Sequence, residues 1–286
     1  MDQQQQQKGL RRNTIDKYYT NPKVVALCIE RIKQHIDIDK ERDIIIEPSA
    51  GNGAFIEDIK TLLNANNNNT LFYDIEPEHT DIIAQNYILL DTSAVVKDMC
   101  GVGRIHIIGN PPFGRQSSIA ISFIKKSSAF CHTISFILPK SFKKDSLKKT
   151  FPLEFHLIYE MDLPENAFLV NGTEYNVPCI FQIWEKRAEN RDRVEKLVPI
   201  HFQFVKQNEN PDISFRRVGV NAGAISVGDI DKKSPQSHYF MRFTAGAEAV
   251  NIEKLRTITF EFNNTVGPKS ISKQELIGKF NPLLCP

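Results

Sequence analysis

The sequence has no uninterrupted apolar run of about 18 residues, the length from which a membrane-spanning helix is built. Residues 1–17 are polar and carry no apolar signal core. These two absences predict an intracellular protein, cytoplasmic or nuclear, that is neither secreted nor a membrane partner. Cysteine is sparse: Cys28, Cys100, Cys131, Cys179 and Cys285 stand singly, with no C-x-x-C and no histidine at zinc spacing. They read as free thiols, and no metal is expected. A one-sided charge is lacking as well. Thirty-six Lys and Arg against 34 Asp and Glu leave +2, too little to argue for nucleic acid by itself.

What is present is an ordinary globular composition, 41% hydrophobic and 24% charged over 286 residues, enough for one large α/β domain and a smaller appendage. The run Gln3 to Gln7 cannot bury apolar area, and residues 1–16 are expected to be a disordered tail. Asn21 and Pro22 signal a helix start, and Val25, Cys28, Ile29, Ile32 and Ile36 recur at helical spacing, so a helix is expected over about 22–36. Short apolar runs then alternate with helical stretches. Strands are expected at 44–46, 71–73, 87–90, 105–108 and 134–138, with helices at 54–63, 77–85 and 119–130. Strands apolar on both faces and separated by helices imply a parallel sheet covered on both sides. Two further strands, 155–161 and 177–184, flank a polar hairpin at Asn171-Gly172 and are expected to close the sheet with an antiparallel edge. The asparagine-rich stretch 64–69 reads as a surface loop.

The first chemical signature is Glu47-Pro48-Ser49-Ala50-Gly51-Asn52-Gly53-Ala54-Phe55, between a buried strand and a helix. Glycines in such a turn let the backbone approach a ligand, and a nucleotide-like cofactor is implied, with Ser49, Ala50, Gly51, Gly53 and Phe55 as its candidate contacts. Position 56 is isoleucine, not the third glycine of the dinucleotide fingerprint, and no Gly-Lys-Ser/Thr follows for a triphosphate. Glu47 repels phosphate but can hold a cationic amino group. Asp74, followed by Ile75, stands at the end of the second expected strand, where a carboxylate accepts from ribose hydroxyls. Asp91 is expected to end the third strand in the same way and to reach an adenine amine of the cofactor.

The most specific signature is Asn110-Pro111-Pro112-Phe113 after the apolar strand 105–108. Two prolines fix the chain and leave the Pro111 carbonyl without a following helix or ladder donor. One acceptor from the Asn110 side chain and one from Pro111 would bind both hydrogens of an exocyclic amine, and Phe113 offers a flat face to an unstacked base. Accepting both hydrogens pushes electron density onto the nitrogen and prepares it to attack a sulfonium methyl.

These residues resemble the class I S-adenosylmethionine-dependent N6-adenine methyltransferases of nucleic acids, whose cofactor loop matches 47–55 and whose D/N-P-P-F/Y tetrad matches 110–113. The resemblance implies a Rossmann-like α/β fold with a mostly parallel seven-stranded sheet. It also implies S-adenosylmethionine as cofactor, S-adenosylhomocysteine as product, and an adenine in nucleic acid, DNA ahead of RNA, as substrate. Motif order is that of the gamma-ordered enzymes. Lys17-Tyr18-Tyr19-Thr20-Asn21-Pro22 is similar to their Y-x-T-P segment, although Asn21 intervenes, and this makes Tyr19 and Thr20 candidates for the methionine part of the cofactor. Leu163-Pro164-Glu165-Asn166-Ala167-Phe168 is similar to their last catalytic hairpin, so that Phe168 is either a second wall around a flipped adenine or a core aromatic. The resemblance covers about residues 17–186. Glutamine N-methyltransferases of proteins share the N-P-P tetrad but favour tyrosine after it, and a silent subunit could keep the fold for binding alone.

Between Lys125 and Lys149 seven lysines stand against one acid, Asp145, either as a solvated face or as contacts to backbone phosphates, with Lys140 a candidate beside the base. Charged residues from Lys186 to Arg193 suggest a boundary, giving a catalytic domain at 17–190 and a small β-rich target-recognition domain at 191–286. In the latter, Phe215-Arg216-Arg217 and Tyr239-Phe240-Met241-Arg242-Phe243 interleave aromatics with arginine. The sequence does not settle whether the chain pairs with itself.

Overall fold

The structure, a computed structural model, describes residues 18–64, 69–93, 103–193, 195–244, 252–260 and 269–284. The expected tail at 1–16, most of the asparagine-rich loop, Cys100, Cys285 and the Gly267-Pro268 turn lie outside them. The chain divides into two compact units, one of Met1–Phe142 with Ser146–Arg191, the other of Asp192–Pro286 with Lys143–Asp145.

The first unit begins with β1 (Tyr19–Thr20) and α1 (Pro22–His35). The Asn21 side chain accepts from the Lys23 N–H at 3.1 Å, supplying one of the partners a helix start lacks, and Pro22 occupies the first turn. Val25, Cys28, Ile29 and Ile32 form the buried face of α1. Next come β2 (Ile44–Glu47), α2 (Ile56–Lys60), β3 (Thr70–Asp74), β4 (Ile83–Ala84), β5 (Ile105–Gly109), α3 (Ser118–Ser128), β6 (Thr133–Pro139) and β7 (Phe155–Asp162). A hairpin of β8 (Phe168–Val170) and β9 (Thr173–Tyr175) turns at Asn171-Gly172 and pairs with β1 as a separate three-stranded sheet, before β10 (Cys179–Lys186) closes the unit.

Seven of these strands form one sheet in the order β4-β3-β2-β5-β6-β10-β7. β10 alone runs antiparallel to its neighbours β6 and β7, and the pairs from β4 to β6 are all parallel. The fold is therefore α/β, Rossmann-like and mostly parallel, as expected. Alternation along the central strands divides the core between the two faces. Ile45 and Ile108 pack with α1 and α2, whereas Ile44, Ile46, Ile105 and Ile107 pack with Ala120, Phe123 and Ile124 of α3.

Three expected elements differ. The helix at 54–63 is confined to α2, because residues 51–55 are spent on turns closed by Gly53 N–H to Ala50 O and Ile56 N–H to Gly53 O. Residues 77–85 form no helix. Main-chain bonds from Glu78 N–H to Gly51 O and from Gln85 N–H to Asp74 O pull this stretch across the sheet end and leave only the two-residue β4. The expected strand at 87–90 is instead a 3₁₀ turn, Tyr87–Leu89, whose start is capped by the Asn86 side chain accepting from Ile88 N–H at 3.0 Å. Asp91 consequently does not end a strand.

The second unit has a four-stranded antiparallel sheet of β11 (Phe202–Val205), β12 (Ile213–Arg216), β13 (Ile225–Ser226) and β14 (His238–Phe243), ordered β11-β14-β12-β13. Two helices, α4 (Ile252–Arg256) and α5 (Lys273–Leu284), accompany it, and Phe202, Phe215, Met241, Leu276 and Phe280 fill its core. Among the described residues no helix is long and apolar enough to cross a membrane, and Cys28, Cys131 and Cys179 are buried free thiols.

Candidate active site at the carboxyl ends of the central strands

From β2 the chain passes to β3 and β4 on one side and then returns to β5 and β6 on the other. Such a reversal opens a crevice beyond the carboxyl ends of the two central strands, where doubly wound sheets bind ligands. A cavity of about 510 Å³ lies there, within the ~300–1,000 Å³ usual for small ligands. Its lining brings together Tyr19, Thr20, Glu47, Ser49, Ala50, Gly51, Phe55, Asp74, Ile75, Asn110 and Pro112 among the residues singled out from sequence.

Glu47 ends β2 and is 2% exposed, with Oε2 lacking any partner among the described residues. Burial first, and the neighbouring charge of Asp74 second, push its carboxyl well above the usual carboxylate range. Asp74 ends β3 and clamps the loop: one oxygen accepts the Gly51 N–H at 2.8 Å, the other the Glu76 N–H at 2.9 Å. Gly51 has φ +54°, a conformation glycine adopts without penalty, and its Cα lies close under the Tyr19 ring, where a Cβ would come within 3.4 Å. The Tyr19 hydroxyl donates to Glu78 Oε1 at 2.6 Å, joining β1 to the segment after β3.

Asn110 follows β5 and is fixed from two sides. Ser49 Oγ donates to its carbonyl at 3.2 Å, and its side-chain Nδ2 donates to the Tyr18 carbonyl at 3.2 Å. That orientation leaves Oδ1 buried and without a partner among the described residues. A buried amide oxygen forgoing a hydrogen bond costs about 1–3 kcal/mol, a cost a ligand N–H would remove. Tyr18 also lines the cavity, and its ring stacks on Tyr175 at 5.6 Å and meets Phe168 edge-on at 6.1 Å.

Other candidates are placed elsewhere. Gly53, Pro111 and Phe113 are adjacent in sequence to lining residues but are not part of the lining. The Phe113 ring is half-buried against the first core, and its carbonyl accepts from Ile119 and Ala120 at the start of α3. Phe168 is fully buried, so of its two readings the core aromatic is the one its position fits. Asp91 accepts from the Ser93 N–H and hydroxyl at 2.9 and 2.6 Å and stands off the lining. Lys140 is likewise off the lining and pairs with Asp162 at 3.3 Å. Lys144 and Lys148 pair with Glu275 and Glu160, so the lysine-rich segment is partly neutralised within the protein. Sequence reasoning missed Glu76, Glu78 and the stretch Gln85 to Ile88, which complete the cavity wall. The Asn86 cap was the one local signal there.

No protein-family model matches the chain. Over 187 residues, 64% of its length, it is 27% identical to Protein ENHANCED DOWNY MILDEW 2 of Arabidopsis thaliana, and spans 13% of that protein. Among solved structures it is similar to a type I restriction-modification system methyltransferase subunit from Streptococcus thermophilus. That match has 14% identity, covers 62% of this chain and 46% of the other, and has a TM-score of 0.38. The DrdV–DNA complex is similar at 12% identity, 60% and 27% coverage, and a TM-score of 0.41. At these values neither likeness extends to an activity of this chain.

Proposed function

We propose that the chain is an S-adenosylmethionine-dependent methyltransferase acting on the exocyclic N6 amine of adenine in nucleic acid, with DNA ahead of RNA. The observation that carries this reading is the Asn110 amide. Its nitrogen is tied back to Tyr18, its oxygen is buried and without a partner among the described residues, and Asn110 lines the same cavity as Glu47.

The donor set fits the cofactor. The buried, unpaired Glu47 carboxyl is matched by a cationic amino group, whose approach would favour its ionised form. Gly51, Ser49 and Ala50 supply a close backbone wall, Asp74 and Ile75 of the same lining would take the nucleoside, and Tyr19 and Thr20 the methionine part. When bound, S-adenosylmethionine supplies an electrophilic methyl group. The work of this chain's residues is preorganisation: Asn110 Oδ1 would accept a hydrogen bond from one amine N–H and the carbonyl of Pro111, next to the lining in sequence, from the other, which shifts electron density onto the nitrogen; the proton that the methylated nitrogen sheds passes to solvent. Phe113 and Tyr18 are the aromatic surfaces nearest Asn110 in the chain and in the hydrogen-bond network, respectively. Neither a metal nor a covalent nucleophile is required by this scheme.

Incubating the chain with methyl-labelled S-adenosylmethionine and separate DNA, RNA and protein pools, followed by nucleoside and amino-acid analysis, tests the reading. Label in N6-methyladenine is expected. Label in glutamine, or in no pool at all, would refute it.

A further inference from the structure

The second unit holds a cavity of its own, about 630 Å³, at the edge where β11 meets β14. Its wall carries Phe204, Tyr239, His238, Lys206 and Lys273, against one acid, Asp231. Phe204 and Tyr239 are half-buried, meet edge to face at 5.6 Å and both line the cavity, and the Arg217 guanidinium lies 5.5 Å from the centre of the Tyr239 ring. Tyr239 is held in place by its hydroxyl donating to the Ile271 carbonyl at 3.2 Å. The exposed Lys273 places Nζ 4.3 Å over the Phe204 ring and 5.8 Å over that of Tyr239. Burial, the largest influence, lowers the pKa of His238, whose ring centre lies 6.5 Å from that of Phe240.

We propose that this cavity binds one unstacked nucleotide of a single-stranded nucleic acid, the base lying on Phe204 and Tyr239 and the phosphate on Lys273 and Lys206. The combination is specific in chemistry. Aromatic faces stack any base, and ammonium groups beside them bind the phosphate that each base carries with it. Without ligand, Lys273 covers the Phe204 ring as a cation–π partner; a phosphate draws the ammonium aside and frees the ring, so one side chain serves both states. A paired base in a duplex has no free face to offer, which selects for single strands. The proposal rests on the preceding reading in taking nucleic acid as the substrate class, and names the strand form this unit grips.

The test is anisotropy of the full chain, without cofactor, on short fluorescein-labelled strands of DNA and RNA, on the same strands lacking bases, and on a blunt duplex. Three variants accompany it: Phe204→Ala, Lys206→Gln and Lys206→Gln with Lys273→Gln. The expected result is an affinity for intact strands lowered about tenfold or more by Phe204→Ala and by the double lysine change. Lys206→Gln, at an exposed position, should weaken binding to a smaller extent and flatten its salt dependence by about one phosphate contact. Intact-strand binding unaltered in all three variants overturns the proposal, as does a parent chain that holds baseless strands or duplex as tightly as intact strands. Label transfer to adenine by variants with unaltered strand affinity would refute this site and leave the methyl-transfer reading standing. Weakened strand binding in a chain that transfers no label would do the reverse.

Discussion

Asp43 and His106 meet 3.0 Å apart, both buried, at the amino-terminal end of the sheet, opposite the end that forms the cavity. The Asp43 carboxylate also accepts the N–H groups of Arg104 at 2.6 Å and Asp39 at 2.8 Å, and the second ring nitrogen of His106 pairs with Thr133 at 2.8 Å. Three strands and a loop are thereby tied to one carboxylate. Burial, the largest influence, lowers the pKa of His106 below its ordinary 6.5. Folded chains then hold fewer protons than unfolded ones, so this contribution is full above pH 6.5 and is lost as pH falls from there toward the folded value. For Asp43, burial acts upward, but the hydrogen bonds from His106, Arg104 and Asp39 prevail and hold its carboxyl below the ordinary 3.8. Its contribution is present above that pH and disappears below it. Urea midpoints measured against pH should therefore start to decline near 6.5, and His106→Gln should make that first decline shallower, His132 and His238, both also lowered by burial, contributing the rest. An unchanged profile in the variant would assign the decline to other groups. Asp43→Asn, which puts an amide donor among donors, should cost about 1–3 kcal/mol at neutral pH.

Removing the Asn110 side chain takes away a buried acceptor of a cavity-lining residue that, like Glu47 Oε2, has no partner among the described residues. Asn110→Ala is expected to slow methyl transfer about a hundredfold or more, by the loss of a preorganised transition-state hydrogen bond. Cofactor affinity should change far less, since Glu47 and the Gly51 loop are untouched. Single-turnover rates and calorimetry separate the two effects, and an equal loss in both would make Asn110 a cofactor ligand and no more.

The central strands could be read from the sequence because apolar residues dominate both their faces in Ile44 to Ile46, Ile105 to Ile108 and Ile134 to Leu138, with His106 and Ser135 the polar exceptions. Both loops that follow β2 and β5 were readable for a different reason, since glycine at 51 and prolines at 111 and 112 restrict the backbone locally. Residues 75–90 were not. Their conformation is set by bonds to partners distant in sequence, Glu78 N–H to Gly51 O and Lys126 Nζ to Leu90 O, which no local pattern encodes. The wall contributed by Glu76, Glu78 and Asn86 was lost with it, and Asp91 was assigned to a strand end that does not exist. Phe168 shows the other limit: an aromatic beside a functional loop serves its neighbours equally well from the core, and only its full burial tells the two apart.

Gly114 joins the Asn110 corner to α3 with φ +68°, and a Cβ there would fall 2.5 Å from Ile119 Cγ1. Two costs combine in Gly114→Ala, the left-handed backbone and the collision with a side chain branched at Cβ. Each such backbone position costs about 1–3 kcal/mol for a non-glycine residue. The variant should be less stable than the parent by at least that amount in denaturant melts. Gly172→Ala is the control: φ is +76°, but nothing lies within 4 Å, so the loss should reflect the backbone alone and be smaller. Equal losses would show that Ile119 yields freely.

Glu47 sets stability against binding. Its folded-state pKa is raised above the ordinary 4.5, so the folded chain holds more protons than the unfolded chain, and stability falls as pH rises from 4.5 through the folded value. Glutamine has nearly the same shape and no charge to bury. Ligand-free Glu47→Gln should therefore melt above the parent at neutral pH, with the gap closing as pH falls to about 4.5. The same change removes the carboxylate that matches the cationic amino group of S-adenosylmethionine. Affinity for it, measured by calorimetry, should fall about tenfold or more, since a buried hydrogen bond to a charged group contributes roughly 1.5–3 kcal/mol. Greater stability without weaker binding would mean that the buried charge is tolerated for some other ligand group. Weaker binding without greater stability would mean that the ligand-free fold holds the Glu47 carboxyl at no cost, with a pKa that is not raised; a raised pKa instead requires cofactor binding to release a proton wherever the ligand-free carboxyl is protonated, and buffers of different ionisation heat will report it.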